Sequence, residues 1–163
     1  MAKRFFNLWL SALFLAAPPL ALADSAHVTL SPTAQTVTQG HVPHFIVSIT
    51  AGDAPLRVMR MSKRPDLRDN YAKIRVTQAG TDVSHPRDKP ITVSIAISDP
   101  GPINESDYVV LAPGQTTAFE HNGEPYQLQD LEPGEYRVRV EVTPEIGKPA
   151  LRSNTATFRV IGP

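Results

Sequence analysis

The 163-residue sequence contains no cysteine. That absence excludes a disulfide-stapled miniprotein, a Cys-ligated zinc or iron–sulfur module and a catalytic thiol. A net charge is missing too: 16 basic residues balance 16 acidic ones, without the basic surplus of a dedicated nucleic-acid binder. No segment carries the i, i+3, i+4, i+7 apolar spacing of an amphipathic helix. Residues 64–70 come nearest, and with Pro65 inside they predict one turn at most.

Catalytic patterns are scarce as well. A zinc protease needs two imidazoles one helical turn apart with Glu beside the first. The histidines stand at 27, 41, 44, 85 and 121, and none is followed by Glu. There is no G-x-S-x-G turn to expose a nucleophilic serine and no phosphate-cradling G-x-x-x-x-G-K. The sequence therefore reads as a non-enzymatic protein without a cofactor.

What is present begins with an address. Lys3 and Arg4 precede an apolar run from Phe5 to Ala17, broken by Asn7 and Ser11, and Ala21 and Ala23 stand just before Asp24. A positive start, a short apolar stretch and small residues at a cleavage point predict a signal peptide over residues 1–23. The apolar run is shorter than the ~20 residues that span a bilayer, so no stable membrane insertion is expected. The expected mature chain, 24–163, is periplasmic or secreted.

That chain reads as strands and turns. Ile91, Val93, Ile95 and Ile97 alternate with Thr92, Ser94 and Ala96; Tyr136, Val138, Val140 and Val142 alternate with Arg137, Arg139 and Glu141. Period-two runs bounded by Pro, Gly, Asn and Asp predict half-buried strands. Weaker runs cover 27–31, 34–38, 44–50, 56–61, 71–78, 107–111, 115–120, 126–129 and 154–160. So many short strands in one domain leave a sandwich or a barrel. Leu131-Glu-Pro-Gly-Glu-Tyr136 separates the two. A Pro-Gly turn before a Tyr that opens a strand is the sequence form of the tyrosine corner. The expected fold is all-β, an immunoglobulin-like antiparallel β-sandwich.

G-T-D-V at 80–83, D-Y-V-V-L-A-P-G-Q at 107–115, Y-Q-L at 126–128 and L-E-P-G-E-Y-R-V at 131–138 together carry a resemblance. They are similar to the immunoglobulin-like accessory module of bacterial deuterolysin-type zinc metalloproteases and to small proteinase-inhibitor sandwich domains. The likeness covers about half of the expected mature chain. It implies an exported protein-interaction module whose partner is another exported protein, a secreted protease, which it binds or regulates.

Charge is unevenly distributed. Residues 57–89 hold nine basic residues against four acidic, whereas 99–145 hold ten acidic against two basic, Arg137 and Arg139. Neighbouring strands can pair such blocks across a solvated sheet face. Alternatively, Arg57, Arg60, Lys63, Arg64 and Arg68 form a basic surface that attracts an acidic protein, a glycan or a phospholipid head group. The loop 98–106, stiffened by Pro100 and Pro102 and carrying Ile103, offers a second contact, since a rigid loop loses less entropy on binding. A different reading makes the chain a periplasmic copper or small-ligand carrier. In it His41, His44, Met59 and Met61 supply imidazole and thioether ligands of the kind soft Cu(I) takes.

Overall fold

Burial with a period of two runs through the longer strands, and each such strand contributes one face to a common core. The computed structural model describes residues 25–79, 91–92, 101–122, 128 and 130–163. The expected signal segment 1–23, Pro100, and most of the expected strands 91–97 and 126–129 lie outside these residues.

One sheet contains β1 (His27–Pro32), β3 (Phe45–Thr50) and β8 (Thr116–His121) in the order β1-β3-β8, all antiparallel. The other runs β2-β11-β9-β5-β6, built from β2 (Thr36–Thr38), β11 (Ala156–Ile161), β9 (Gly134–Val142), β5 (Ala72–Gln78) and β6 (Ile91–Thr92). β2 pairs in parallel with β11, so the chain starts in one sheet and crosses to the edge of the other. A two-stranded ribbon, β4 (Leu56–Met59) with β7 (Tyr108–Leu111), stands apart from both sheets. This is the expected all-β sandwich, and the one departure from the expected antiparallel pairing among the described strands is the parallel β2–β11 edge.

The core sits between the layers. Phe45, Val47 and Ile49 of β3 face Ile74 and Val76 of β5 and Val138, Val140 and Val142 of β9, all at most 1% exposed. The rings of Tyr136 and Phe158 stack at 5.5 Å, and Phe158 meets Phe45 edge-on at 5.6 Å. Such aromatic contacts contribute ~0.5–1.5 kcal/mol each beyond their buried area. The Tyr136 hydroxyl donates to the carbonyl of Glu132 at 2.7 Å, which is the corner the Pro-Gly-x-Tyr spacing announced.

The expected last strand, 154–160, is displaced and preceded by a break. β10 (Leu151–Arg152) and β11 both pair with β9, and the regular ladder breaks over 153–155: Ser153 keeps one backbone bond, its N–H to the Val140 carbonyl at 3.0 Å, and bridges Val28 of β1. Polar side chains there replace the missing strand bonds. The Val140 N–H donates to Ser153 Oγ at 3.0 Å. The Asn154 amide engages both backbone groups of Leu30, accepting from its N–H at 2.8 Å and donating to its carbonyl at 3.2 Å. Leu30 belongs to the opposite sheet, so Asn154 ties the two layers together.

One helix exceeds expectation: α1 (Pro65–Tyr71) has seven residues rather than a single turn. Pro65 occupies the opening of the helix, where an N–H would lack a partner anyway, and Asp66 lies in the positively polarised first turn. Leu67 is fully buried and Tyr71, four residues on, packs against the core. Tertiary packing, not periodicity over a long window, secures this short helix.

Candidate functional site: a cationic sheet face

The basic residues singled out in the sequence are largely engaged within the molecule. Arg57 donates to Glu105 and to Glu145, each at 2.7 Å, and its guanidinium lies 3.9 Å from the centre of the Tyr108 ring. Burial opposes its charge, but the two carboxylates outweigh that and its pKa is raised. Arg64 grips Asp66 at 2.6 Å and Asp107 at 3.0 Å. The hydrogen bonds with Asp66 lead in raising the pKa of Arg64, and the same bonds lower that of Asp66. Arg60 donates to the Tyr108 carbonyl at 2.9 Å, and Arg68 to Asp69 at 3.0 Å and to the Glu120 carbonyl at 3.2 Å. Lys63 alone of the five is exposed with no ion pair among the described residues.

The expected contact loop joins the same network. Residues 105–107 form a single 3₁₀ turn, and the Asn104 N–H donates to the Asp107 carboxylate at 2.9 Å. Pro102 is exposed, while Ile103 packs partly against the core. The four candidate metal ligands divide between two environments. Met59 ends β4 and Met61 follows it in a turn, each only 2% exposed and part of the core. His41 is exposed in a turn, and His44 is exposed beside Glu120, with Nδ1 2.5 Å from a carboxylate oxygen. Among the described residues no three His, Asp or Glu side chains cluster to hold a metal.

The concentration of unneutralised charge lies elsewhere, on the outward face of β5, β9, β10 and β11. Because side chains alternate, Lys73, Arg75 and Thr77 of β5 point away from the core, as do Glu135, Arg137, Arg139 and Glu141 of β9. Register then sets the neighbours: Arg75 stands directly opposite Arg139, Lys73 opposite Glu141, Thr77 opposite Arg137, and Arg159 of β11 opposite Glu135. Arg152 of β10 completes the row beside Glu141. Among the described residues, six cations thus share a face with two carboxylates. Since the whole sequence is neutral, the remainder of the chain is net acidic.

Like charges directly opposite on neighbouring strands, with Cβ atoms about 4.5–5.5 Å apart, are destabilising. The two guanidiniums diverge. Arg139 Nε donates to Thr155 Oγ1 at 2.5 Å, whereas Arg75 reaches Glu141 at a long 3.4 Å. Glu141 is also shared with Arg152 at 3.1 Å. Arg137 makes no ion pair among the described residues. Two adjoining depressions open over this divergence. One, about 440 Å³, is lined by Arg75, Arg139, Val140, Glu141, Arg152 and Ser153. The other, about 290 Å³, is lined by Arg75, Thr77, Arg137, Arg139 and Thr155.

Sequence reading missed this face although its parts were visible. Alternation marked Arg137 and Arg139 as outward, but they lay in a block counted as acidic. Only the β5–β9 register brings Arg75 against them.

The sequence matches no family model and no curated protein. Among solved structures it is similar to the sporulation control protein Spo0M of Bacillus subtilis, at 11% identity and a TM-score of 0.45, over 83% of this chain and 49% of that one. It is also similar to the alkylpurine DNA glycosylase AlkC of Pseudomonas fluorescens, at 15% identity and 0.42, over 86% and 31%. A β-glucosidase of Listeria innocua matches at 17% and 0.40, over 86% and 16%. The chain therefore spans about half of Spo0M and less of the two enzymes. Similarities at this level carry no functional argument.

Proposed function

We propose that the protein is an exported, non-enzymatic binding module that engages an anionic partner through the outward face of β5 and β9. The observation that carries this reading is the Arg75–Arg139 pair, held directly opposite with no carboxylate between them. A sheet with no partner to meet would be more stable with one of these positions neutral or acidic. An oxyanion between the two guanidiniums reverses the sign of that term and gains charge-assisted hydrogen bonds. The basic segment around α1 is a poorer candidate, since most of its arginines already hold carboxylates.

The test is a titration of the full chain with inorganic sulfate, followed by NMR of the arginine Nε–H signals. Arg75 and Arg139 are expected to shift saturably, with Arg57 and Arg64 unmoved. Shifts confined to Arg57, Arg60, Arg64 or Arg68, or no saturable shift, would refute the assignment.

A further inference from the structure

We infer that the partner of this face is a linear anionic polysaccharide, a deepening that rests on the anion-binding reading above. The first ground is the shape of the charge. Cations occupy four successive rows across the sheet: Arg152 and Lys73, then Arg139 and Arg75, then Arg137, then Arg159. Rows two residues apart are ~6.6–6.8 Å apart, so the track runs for about 20 Å. The carboxylates Glu141 and Glu135 stand in the outermost rows, leaving the two middle rows, among the described residues, with three arginines and no acid. A compact ligand is usually enclosed over most of its surface, whereas this is an open track matched to repeated charges.

The second ground is what lines the track. Among the described residues its outward side chains are Lys, Arg, Thr and Glu, with Ile161 at one end of β11 and no aromatic. Single-stranded nucleic acids are held by stacking bases on aromatic rings, and none of the described residues of this face supplies such a platform. Protein partners rely on buried aromatic or aliphatic anchors at the centre of the contact. Among the described residues the one exposed large apolar side chain on this face is Ile161, at the end of β11 and away from the middle rows. Hydroxyls flank the arginines instead: Thr77, Thr155 and Thr157 are all exposed. Guanidinium forks paired with hydroxyls suit a chain that alternates acidic groups with hydroxyl groups.

The experiment uses calorimetry on the full-length protein to compare two ligands of equal charge, an octasaccharide of guluronate and octa-glutamate, with each other and with monomeric guluronate. The octasaccharide is expected to bind at least ~100-fold tighter than the monomer, as linked contacts do, and tighter than octa-glutamate. The double substitution Arg75→Ala/Arg139→Ala is expected to weaken it by ~10-fold or more. Thr77→Val/Thr157→Val should remove the preference over octa-glutamate while preserving binding of both. All four positions are exposed, and unchanged circular dichroism establishes that each variant folds. Equal or tighter binding of octa-glutamate would assign an acidic polypeptide instead, and no gain over the monomer would assign a compact anion. Either result overturns this inference, yet both leave the sulfate titration and the anion-binding reading standing.

Discussion

Two arginine-rich regions of the same molecule are built on opposite principles. Around β4, α1 and the turn at 105–107, arginines and carboxylates are interleaved: Arg57 lies between Glu105 and Glu145, and Arg64 between Asp66 and Asp107. On the outward face of β5 and β9, Arg75 is set against Arg139 and a single Glu141 is divided between Arg75 and Arg152. The first arrangement lowers the energy of the free protein. The second raises it, a cost that the proposed anionic partner would offset. A count of charges along the chain ranks the regions the wrong way round, because it measures abundance and not neutralisation.

The largest stability effect is expected where the network also serves the backbone. Asp107 accepts from the Asn104 N–H and from Arg64, and its side chain is only 12% exposed. Asp107→Ala removes a capping acceptor and leaves Arg64 with one partner fewer, for a loss of about 2 kcal/mol. Urea denaturation should show a lower midpoint at unchanged slope. A loss below ~0.5 kcal/mol would place this network among ordinary surface ion pairs and dissolve the contrast between the regions.

Next comes a dependence on pH that belongs to neither region but sits between the sheets. His121, 6% exposed, donates through Nε2–H to the Ala72 carbonyl at 2.8 Å, linking the end of β8 to the start of β5. Burial pushes its pKa below the usual value and Arg68 adds to this, while the Ala72 bond and Asp69 act in the opposite direction. The unfolded chain takes up its proton near pH 6.5, and the folded chain only at lower pH. In that window the unfolded state binds more protons, so stability falls as the solution is acidified. Urea midpoints measured from about pH 7.5 down to about 5.5 should decline, and His121→Gln should flatten the decline. A profile unchanged by the substitution would mean that other groups carry the acid response.

How much of this was legible beforehand follows from what strands encode. Alternation along 134–142 fixes which residues face the core, so Tyr136, Val138 and Val140 could be assigned inward and Arg137 and Arg139 outward from the chain alone. The Pro-Gly-x-Tyr spacing is likewise local, and it marked the corner. Pairing is not local. Nothing within 72–78 says that Arg75 will lie against a residue 64 positions later, so the cationic face could not be assembled. The break at 153–155 was hidden for the same reason, since Asn154 makes sense only beside Leu30, 124 residues away. Residue type alone allowed Met59 and Met61 as soft ligands in the alternative reading, and their burial shows them filling the core.

A smaller effect, with the reverse sign, is expected from the outward face of β5 and β9. Arg75→Thr keeps a residue suited to a strand and removes the like-charge opposition to Arg139. In low salt without ligand it should stabilise the chain by ~0.2–1 kcal/mol, while weakening the response to sulfate. Destabilisation comparable with that of Asp107→Ala would show that Arg75 serves the fold, and the comparison between the regions would fail.

The smallest effect sharpens the boundary of the face. Arg159 and Glu135 form an ion pair at 3.1 Å, but both side chains are about 60% exposed, at 61% and 64%. Water screens such a pair and ordering two long side chains offsets most of the attraction. A double-mutant cycle with Arg159→Ala and Glu135→Ala should therefore give a coupling of ~0.2–0.5 kcal/mol that vanishes in high salt. Glu135 then neutralises little of the track, and Arg159 is available to extend it. A coupling above ~1 kcal/mol would instead bind Arg159 to its neighbour in the manner of Arg64, and the track would end one row earlier, at Arg137.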